Sequence, residues 1–239
     1  MIIVGTCGFC EAKKKYFRDF NTVEVQQTFY KLIQDKTLQK WEQEAPKDFI
    51  FSIKAFQGVT HPPTSPTWRR SNVKPTPGVG LLRPTPDVFR YWELTLREAE
   101  ILGAKFVLIQ LPKSFKETEE SFNNAEKFFS KIEKRDFTIV VELRGWSEKG
   151  IKEFVREFNL IDVTDPLVRE PLHVGKINYY RLHGAYQKGR IIYKHKYTQE
   201  ELQGIAKKVK EWNKKESYVY FNNAYMCEDA RSFIQTLAF

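Results

Sequence analysis

The chain predicts a single closed (β/α)8, or TIM, barrel spanning residues 1–239, and three observations carry that reading. Its 239 residues suffice for one large domain with a full core. Short apolar, β-branched runs alternate with amphipathic stretches along the whole length, which is how a parallel sheet wrapped by helices is written. The run Thr138–Trp146, TIVVELRGW, starts apolar on both sides and then sets Glu142 and Arg144 two residues apart on one side. Strands of a barrel change character in this way where their carboxyl ends open into a substrate pocket.

Each element follows in order. Ile2–Thr6 is the first strand, and Cys7-Gly8-Phe9-Cys10 and a basic run through Arg18 leave little room for a crossover helix. Phe20–Val25 is the second strand. Thr37 is placed to cap a short helix over Thr37–Ala45 that Pro46 stops. Phe49–Ala55 is the third strand, with Ser52 and Lys54 on one side. Residues 60–84 form a long proline-rich segment starting at Thr60 and His61, of the kind that is functional or mobile in compact domains. Thr85-Pro86-Asp87 opens a helix that Gly103 closes.

Lys105–Pro112 is the fourth strand, and Thr118–Lys134 a helix with Phe122, Ala125, Phe129 and Ile132 on one face. After the fifth strand Ser147 caps the next helix. Leu160–Val163 is the sixth strand, with Asp162 counted among the polar residues of the mouth, and Pro166 and Pro171 abbreviate its crossover. Ile177–Gly184 is the seventh strand. A basic loop leads to the capping box Thr198-Gln-Glu-Glu201 and its helix, then to the eighth strand, Ser217–Asn223, and a last helix over Glu228–Leu237. An open doubly wound sheet is the alternative, but no glycine fingerprint accompanies it.

Composition narrows the function classes. No run of about 18 apolar residues occurs, so no membrane span is expected, and no charged leader precedes a long apolar segment. A cytoplasmic location is the expectation. The net charge of +9 favours an anionic partner, either a small molecule or nucleic acid. Basic residues follow the first strand (Lys13, Lys14, Lys15, Arg18), the third (Arg69, Arg70, Lys74) and the seventh (Lys188, Arg190, Lys194, Lys196), interleaved with Tyr16, Trp68, Tyr186 and Tyr193. Lys- and Glu-rich surfaces are also an ordinary adaptation to heat.

Strand alternation gathers Glu24, Lys54, Gln110, Glu142, Arg144, Asp162, Arg181, His183 and Asn222 at one end of the barrel. Glu142 or Glu24 can serve as general base, Lys54 or His183 as general acid, and Arg144 and Arg181 as anion clamps, with His61 completing the site. The bland reading is a buried salt-bridge network that only closes the barrel. A metal held by Glu24, His61, Glu142, Asp162 and His183 is possible but not favoured, because histidines are few. Cys7, Cys10 and Cys227 belong on one rim if the first and last strands meet. They can be a disulfide, an incomplete metal site or three ordinary buried thiols, the last ranking first.

Seven segments together, GTCGF (5–9), TVEVQQTFY (22–30), FIFSIKA with Thr60-His61, LIQLPKSF (108–115), VVELRGW (140–146), YYRLHG (179–184) and VYFNN (219–223), resemble the YecE-like family in content and order. The resemblance implies a TIM barrel without a settled activity, within a broader group of barrels that includes phosphodiester-cleaving repair enzymes. It adds Tyr30, Trp146, Asn222 and Asn223 to the motif positions for substrate binding. Cys7, Gln26 and Lys113 depart from the family's usual residues. The expectation is an enzyme of hydrolase or lyase type with an unknown cofactor, acting on a phosphorylated or otherwise anionic substrate. A nucleic-acid-processing protein and a non-catalytic scaffold are the alternatives.

Overall fold

The computed structural model describes residues 1–133, 135–173 and 175–238. The first half of the chain runs β1 (Ile2–Cys7), α1 (Lys13–Asp19), β2 (Thr22–Val25), α2 (Gln27–Tyr30), α3 (Asp35–Glu44), β3 (Ile50–Lys54), α4 (Gln57–Thr60), a 3-10 turn (Pro66–Arg70) and α5 (Pro86–Ile101). The second half runs β4 (Phe106–Leu111), α6 (Glu119–Phe129), β5 (Thr138–Leu143), α7 (Glu148–Glu157), β6 (Ile161–Thr164), β7 (Ile177–Leu182), the pair β8 (Ala185–Gln187) and β9 (Arg190–Ile192), α8 (Gln199–Trp212), β10 (Glu216–Phe221) and α9 (Met226–Leu237).

Eight parallel strands close into a barrel in the order β1, β2, β3, β4, β5, β6, β7, β10, with β10 returning to β1 over Ile2 opposite Ser217 through Thr6 opposite Phe221. The strands were legible because they are buried on both sides, so runs such as FVLIQL of β4 and TIVV of β5 are almost wholly apolar until they reach the mouth. The abbreviated crossovers are present: a seven-residue helix follows β1, and no helix joins β6 to β7 among the described residues.

Side-chain caps explain the starts of four helices. Thr85, Thr118, Ser147 and Thr198 each accept a backbone N–H from the first turn, and Glu201 completes the capping box. Thr37 does not cap α3, which starts two residues earlier with Asp35 in its first turn, where the helix dipole favours an acid. Helix α6 ends at Phe129 rather than continuing to Lys134, which lies outside the described residues.

Aromatic rings fill the interior. Phe106, Tyr179, Tyr218 and Tyr220 pack with Leu108, Val140 and Val163. The Tyr179 hydroxyl meets Ser52 Oγ at 2.8 Å and the Tyr220 hydroxyl meets Thr22 Oγ1 at 2.7 Å, so these buried phenols are satisfied. This layer seals the barrel beneath the mouth. A second apolar layer lies between the strands and helices, from Val23, Ile53 and Trp92 to Phe154, Val209 and Phe233.

The proline-rich segment is tied down. Gly80 donates to Gly58 O at 2.7 Å, while Leu81 and Leu82 donate to Thr60 O and Val59 O at 3.1 Å each. Gly80 has φ +87, and a Cβ there would meet the His61 carbonyl at 2.3 Å, so glycine is required where this strap crosses His61. Leu82, Val79 and Trp68 are buried beneath it.

The cysteines correct the expectation of three free thiols. Cys10 is bonded to Cys227 with Cα atoms 5.8 Å apart, and Cys7 alone is free and buried. All three belong to one rim, because barrel closure sets β1 beside β10. No helix is long and apolar enough to cross a membrane among the described residues.

Candidate functional site

A cavity of about 680 Å³ opens at the carboxyl ends of β4 to β7. His61, Gln110, Glu142, Arg144, Trp146, Asp165, His183 and Tyr186 line it, with Lys113 and Arg190 nearer its edge. Strand alternation puts Arg181 and His183 of one strand, and Glu142 of another, on the barrel interior.

The floor is a chain of alternating charges. Arg181, only 1% exposed in its side chain, reaches Glu24 Oε1 at 3.1 Å and pairs with Glu142 Oε2. Arg144 Nε donates to the other oxygen of Glu142 at 2.6 Å. Burial alone would raise the Glu142 pKa, but the Arg144 and Arg181 guanidinium groups outweigh it and hold the carboxyl well below its usual range. Glu24 is fully enclosed, accepting from the Tyr179 hydroxyl at 2.7 Å and from Gln26. It lies beneath the cavity rather than in its wall, which corrects its placement as a base within substrate reach.

Lys54 stands apart from this chain. Its Nζ lies 3.7 Å from the centre of the Phe29 ring and donates to Gln110 Oε1 at 2.9 Å. Burial, reinforced by repulsion from Arg181 and Arg144, pulls its pKa down to about 7. His61 packs edge-on against the same Phe29 ring at 4.9 Å, and its Nδ1 shares a hydrogen 2.8 Å from Thr60 Oγ1. Burial and then Lys54 lower its pKa to about 3, so it is a neutral ring at physiological pH.

His183 is the most directed group. Asp165 Oδ2 accepts the His183 backbone N–H at 3.1 Å, faces its Nδ1 at 3.4 Å and accepts the Tyr186 hydroxyl at 2.9 Å. The other ring nitrogen, Nε2, faces Arg144 Nη2 at 3.5 Å and Glu142 Oε1 at 3.9 Å. A carboxylate at Nδ1 favours the tautomer whose Nε2 is an acceptor, facing the Arg144 guanidinium in the cavity.

The structure places the remaining expected residues as follows. Trp146 lines the cavity, stacked on Phe115 and donating to its carbonyl at 2.6 Å. Tyr30 carries Arg70 over its ring at 3.7 Å and does not line the cavity. Asn222 is fixed through its N–H to Leu182 O at 2.7 Å and is also outside the wall. The Asn223 amide bonds to His195 O and Asp229 on the outer side, because it has the opposite parity.

Asp162 is corrected for the same reason. Ile161 and Val163 face inward, while Asp162 faces out, pairs with Arg169 at 2.8 Å and accepts the Leu172 N–H at 2.9 Å. It anchors the β6–β7 connection. Two features were missed: Asp165, one residue beyond β6, and the β8–β9 hairpin, which brings Tyr186, Arg190 and Tyr193 to the cavity. The hairpin had a signal, since Lys188-Gly189 between AYQ and RII supplies two successive residues of positive φ, 47 and 72. Of Glu24, His61, Glu142, Asp162 and His183, Glu142 and His183 meet at 3.9 Å while Asp162 faces outward, and no group of three or more His, Cys, Asp or Glu is placed to hold a metal among the described residues.

Comparison with known proteins agrees with this architecture. A family model described as "Protein of unknown function DUF72" matches residues 12–238. A DUF72 family protein of Thermotoga maritima is 23% identical, with all of both chains covered and a TM-score of 0.70. One from Enterococcus faecalis is 18% identical over 100% of this chain and 96% of its own, with a TM-score of 0.76. Endonuclease IV of Thermus thermophilus shares the barrel at 10% identity, 98% coverage of each chain and a TM-score of 0.54. None of the curated proteins matches. The chain belongs to the DUF72 family.

Proposed function

We propose that this DUF72 protein is an enzyme that moves protons on a small anionic substrate held in the barrel mouth. The observation that carries the reading is His183, whose Nδ1 side is occupied by Asp165 while Nε2 faces the cavity beside Arg144. His183 is the general base, Asp165 positions it, and Lys54, poised near neutrality by burial, exchanges the second proton. Arg144, its side chain 28% exposed, takes the substrate's carboxylate or phosphate, with Lys113 and Arg190 at the edge. Arg181 is assigned away from the substrate, because Glu24 and Glu142 occupy it. Glu142, held ionised by Arg144 and Arg181, supplies fixed negative charge rather than accepting protons.

Calorimetric titration with inorganic phosphate tests the anion site. We expect binding by the wild type and its loss in Arg144→Ala; equal affinity in both removes the reading. The YecE-like motifs fit the DUF72 assignment, and we take the two labels to describe one group, acting in the cytoplasm.

A second reading, nucleic acid on the basic rim, is favoured by Tyr186 and Tyr193, 40% and 42% exposed, beside Arg190 on the hairpin. A steep fall of oligonucleotide affinity with salt would select it.

A further inference from the structure

We propose that Lys54 is a carbonyl-capturing nucleophile, and that the substrate is a small ketone or 2-oxo compound carrying a carboxylate or phosphate. The substrate class rests on the anion-site reading above. The nucleophile rests on how charge is shared out in the barrel mouth.

Two carboxylates, Glu24 and Glu142, stand at the carboxyl ends of β2 and β5, and both are taken by guanidinium groups. Lys54, the last residue of β3, forms no ion pair within 4 Å among the described residues. Its ammonium has one hydrogen-bond acceptor, the neutral Gln110 amide, and an aromatic face. A lysine kept to bind phosphate as a point charge is hydrated and exposed, whereas Lys54 is 5% exposed. A lysine kept for structure is given a carboxylate. The Phe29 face attracts the ammonium, but burial and the nearby Arg181 and Arg144 outweigh it and favour the free base of Lys54, the form that attacks carbonyls. Its pKa near 7 agrees with that geometry. Gln110, which accepts from this amine, and His61, which packs on the same Phe29 ring, both line the cavity, and Lys54 lies directly behind Gln110.

The step balances without an oxidant or a cofactor. The Nζ lone pair forms a C–N bond to the carbonyl carbon as the carbonyl π pair moves to oxygen, which takes a proton. The nitrogen loses a proton, and the carbinolamine oxygen takes another and leaves as water while the nitrogen lone pair forms C=N. Ketone, neutral amine and one proton give iminium and water. The iminium acidifies the adjacent C–H, and His183 Nε2 is the cavity base that accepts that proton. Hydrolysis returns the lysine.

Borohydride trapping tests this on the full-length protein with pyruvate, dihydroxyacetone phosphate and the uncharged control hydroxyacetone. A reduced adduct blocks trypsin at Lys54, so Asp48–Arg69 should appear as one peptide in place of Asp48–Lys54. We expect that peptide, carrying the adduct mass, with the two anionic probes, its suppression by excess inorganic phosphate, and no adduct mass at position 54 in Lys54→Arg or in Lys54→Met, where trypsin leaves an unmodified Asp48–Arg69 uncleaved. Competition by phosphate in the wild type keeps the test decisive if a variant fails to fold. Binding of the anionic probes by calorimetry with no Lys54 adduct, or adducts only on surface residues such as Lys14, overturns the nucleophile and leaves the anion site standing. A Lys54 adduct formed equally with hydroxyacetone supports the nucleophile and overturns the anionic substrate class. Neither binding nor trapping overturns both.

Discussion

Replacing Arg181 by methionine should cost about 3–5 kcal/mol of folding stability, because it strands a buried carboxylate. Arg181 and Glu24 are 1% and 0% exposed, so neither can turn to water when its partner is lost. Glu142 keeps Arg144 at 2.6 Å, whereas Glu24 keeps only neutral donors, the Tyr179 hydroxyl and the Gln26 amide. The uncompensated charge is therefore Glu24, and the loss should lie toward the lower end of the range. For a chain of this size each kcal/mol lowers the melting temperature by about 2–4 °C, so a 3 kcal/mol loss is about 6–12 °C. Adding Glu24→Gln should restore most of the loss, because the site then holds no unpaired charge. Urea unfolding and thermal melts of wild type, single and double variants measure both effects. A deficit below about 1 kcal/mol, or no rescue in the double variant, would refute the claim that this ion chain is buried and coupled.

Three further outcomes are expected. Lys54→Met should stabilise the protein by about 0.5–2 kcal/mol near neutral pH. The folded pKa of Lys54, about 7, lies below the ordinary 10.5, so its penalty is fully present below pH 7 and fades as the pH rises through that window; a gain that does not shrink toward pH 10 counts against the burial argument. Glu98 is pushed up to about 8 by burial, so the wild type should lose stability as the pH rises from 4.5 to 8, and melts of Glu98→Gln should lack that slope while the amide oxygen still accepts the Ile33 N–H. Cys10→Ser should cost about 2–5 kcal/mol, since the bond closes a loop with a sequence separation of 217, and denatured thiol counts should give one free thiol before reduction and three after; three before reduction would remove the bond.

The barrel was legible because its strands announce themselves twice, by apolar β-branched runs and by polar residues gathered at one end. Lys54, Gln110, Glu142, Arg144, Arg181 and His183 followed from alternation alone, since period-2 parity is reliable while the strand is regular. It failed at the ends of short strands. β6 has four residues, and fixing its face by the most polar one chose Asp162 instead of Asp165. Asn223, taken from the family resemblance and not from alternation, faces outward by the same parity. The Cys10–Cys227 bond was unreadable because it depends on a Cα separation that no spacing encodes. The strap over His61 could not be read either, since its order comes from Gly80 lying against the His61 carbonyl.

The bland reading, a salt-bridge network that closes the barrel, describes half of the mouth and thereby identifies the other half. Glu24, Arg181, Glu142 and Arg144 neutralise one another, and the tyrosine layer below them is satisfied, so that part needs no substrate to explain it. Lys54 is not paired within the network, and the pull of Glu142 and Glu24 on its ammonium is outweighed. It is buried beside two guanidinium groups that disfavour its charge, with both nearby carboxylates already engaged. A protein selected only for a closed barrel would place methionine or leucine on Phe29 and avoid that desolvation cost. His183, in contrast, is held on three sides yet keeps Nε2 toward the cavity. An unneutralised amine and an oriented imidazole in one mouth are costly to stability and useful to chemistry, and it is on these two groups, rather than on the ion chain, that a search for activity should act.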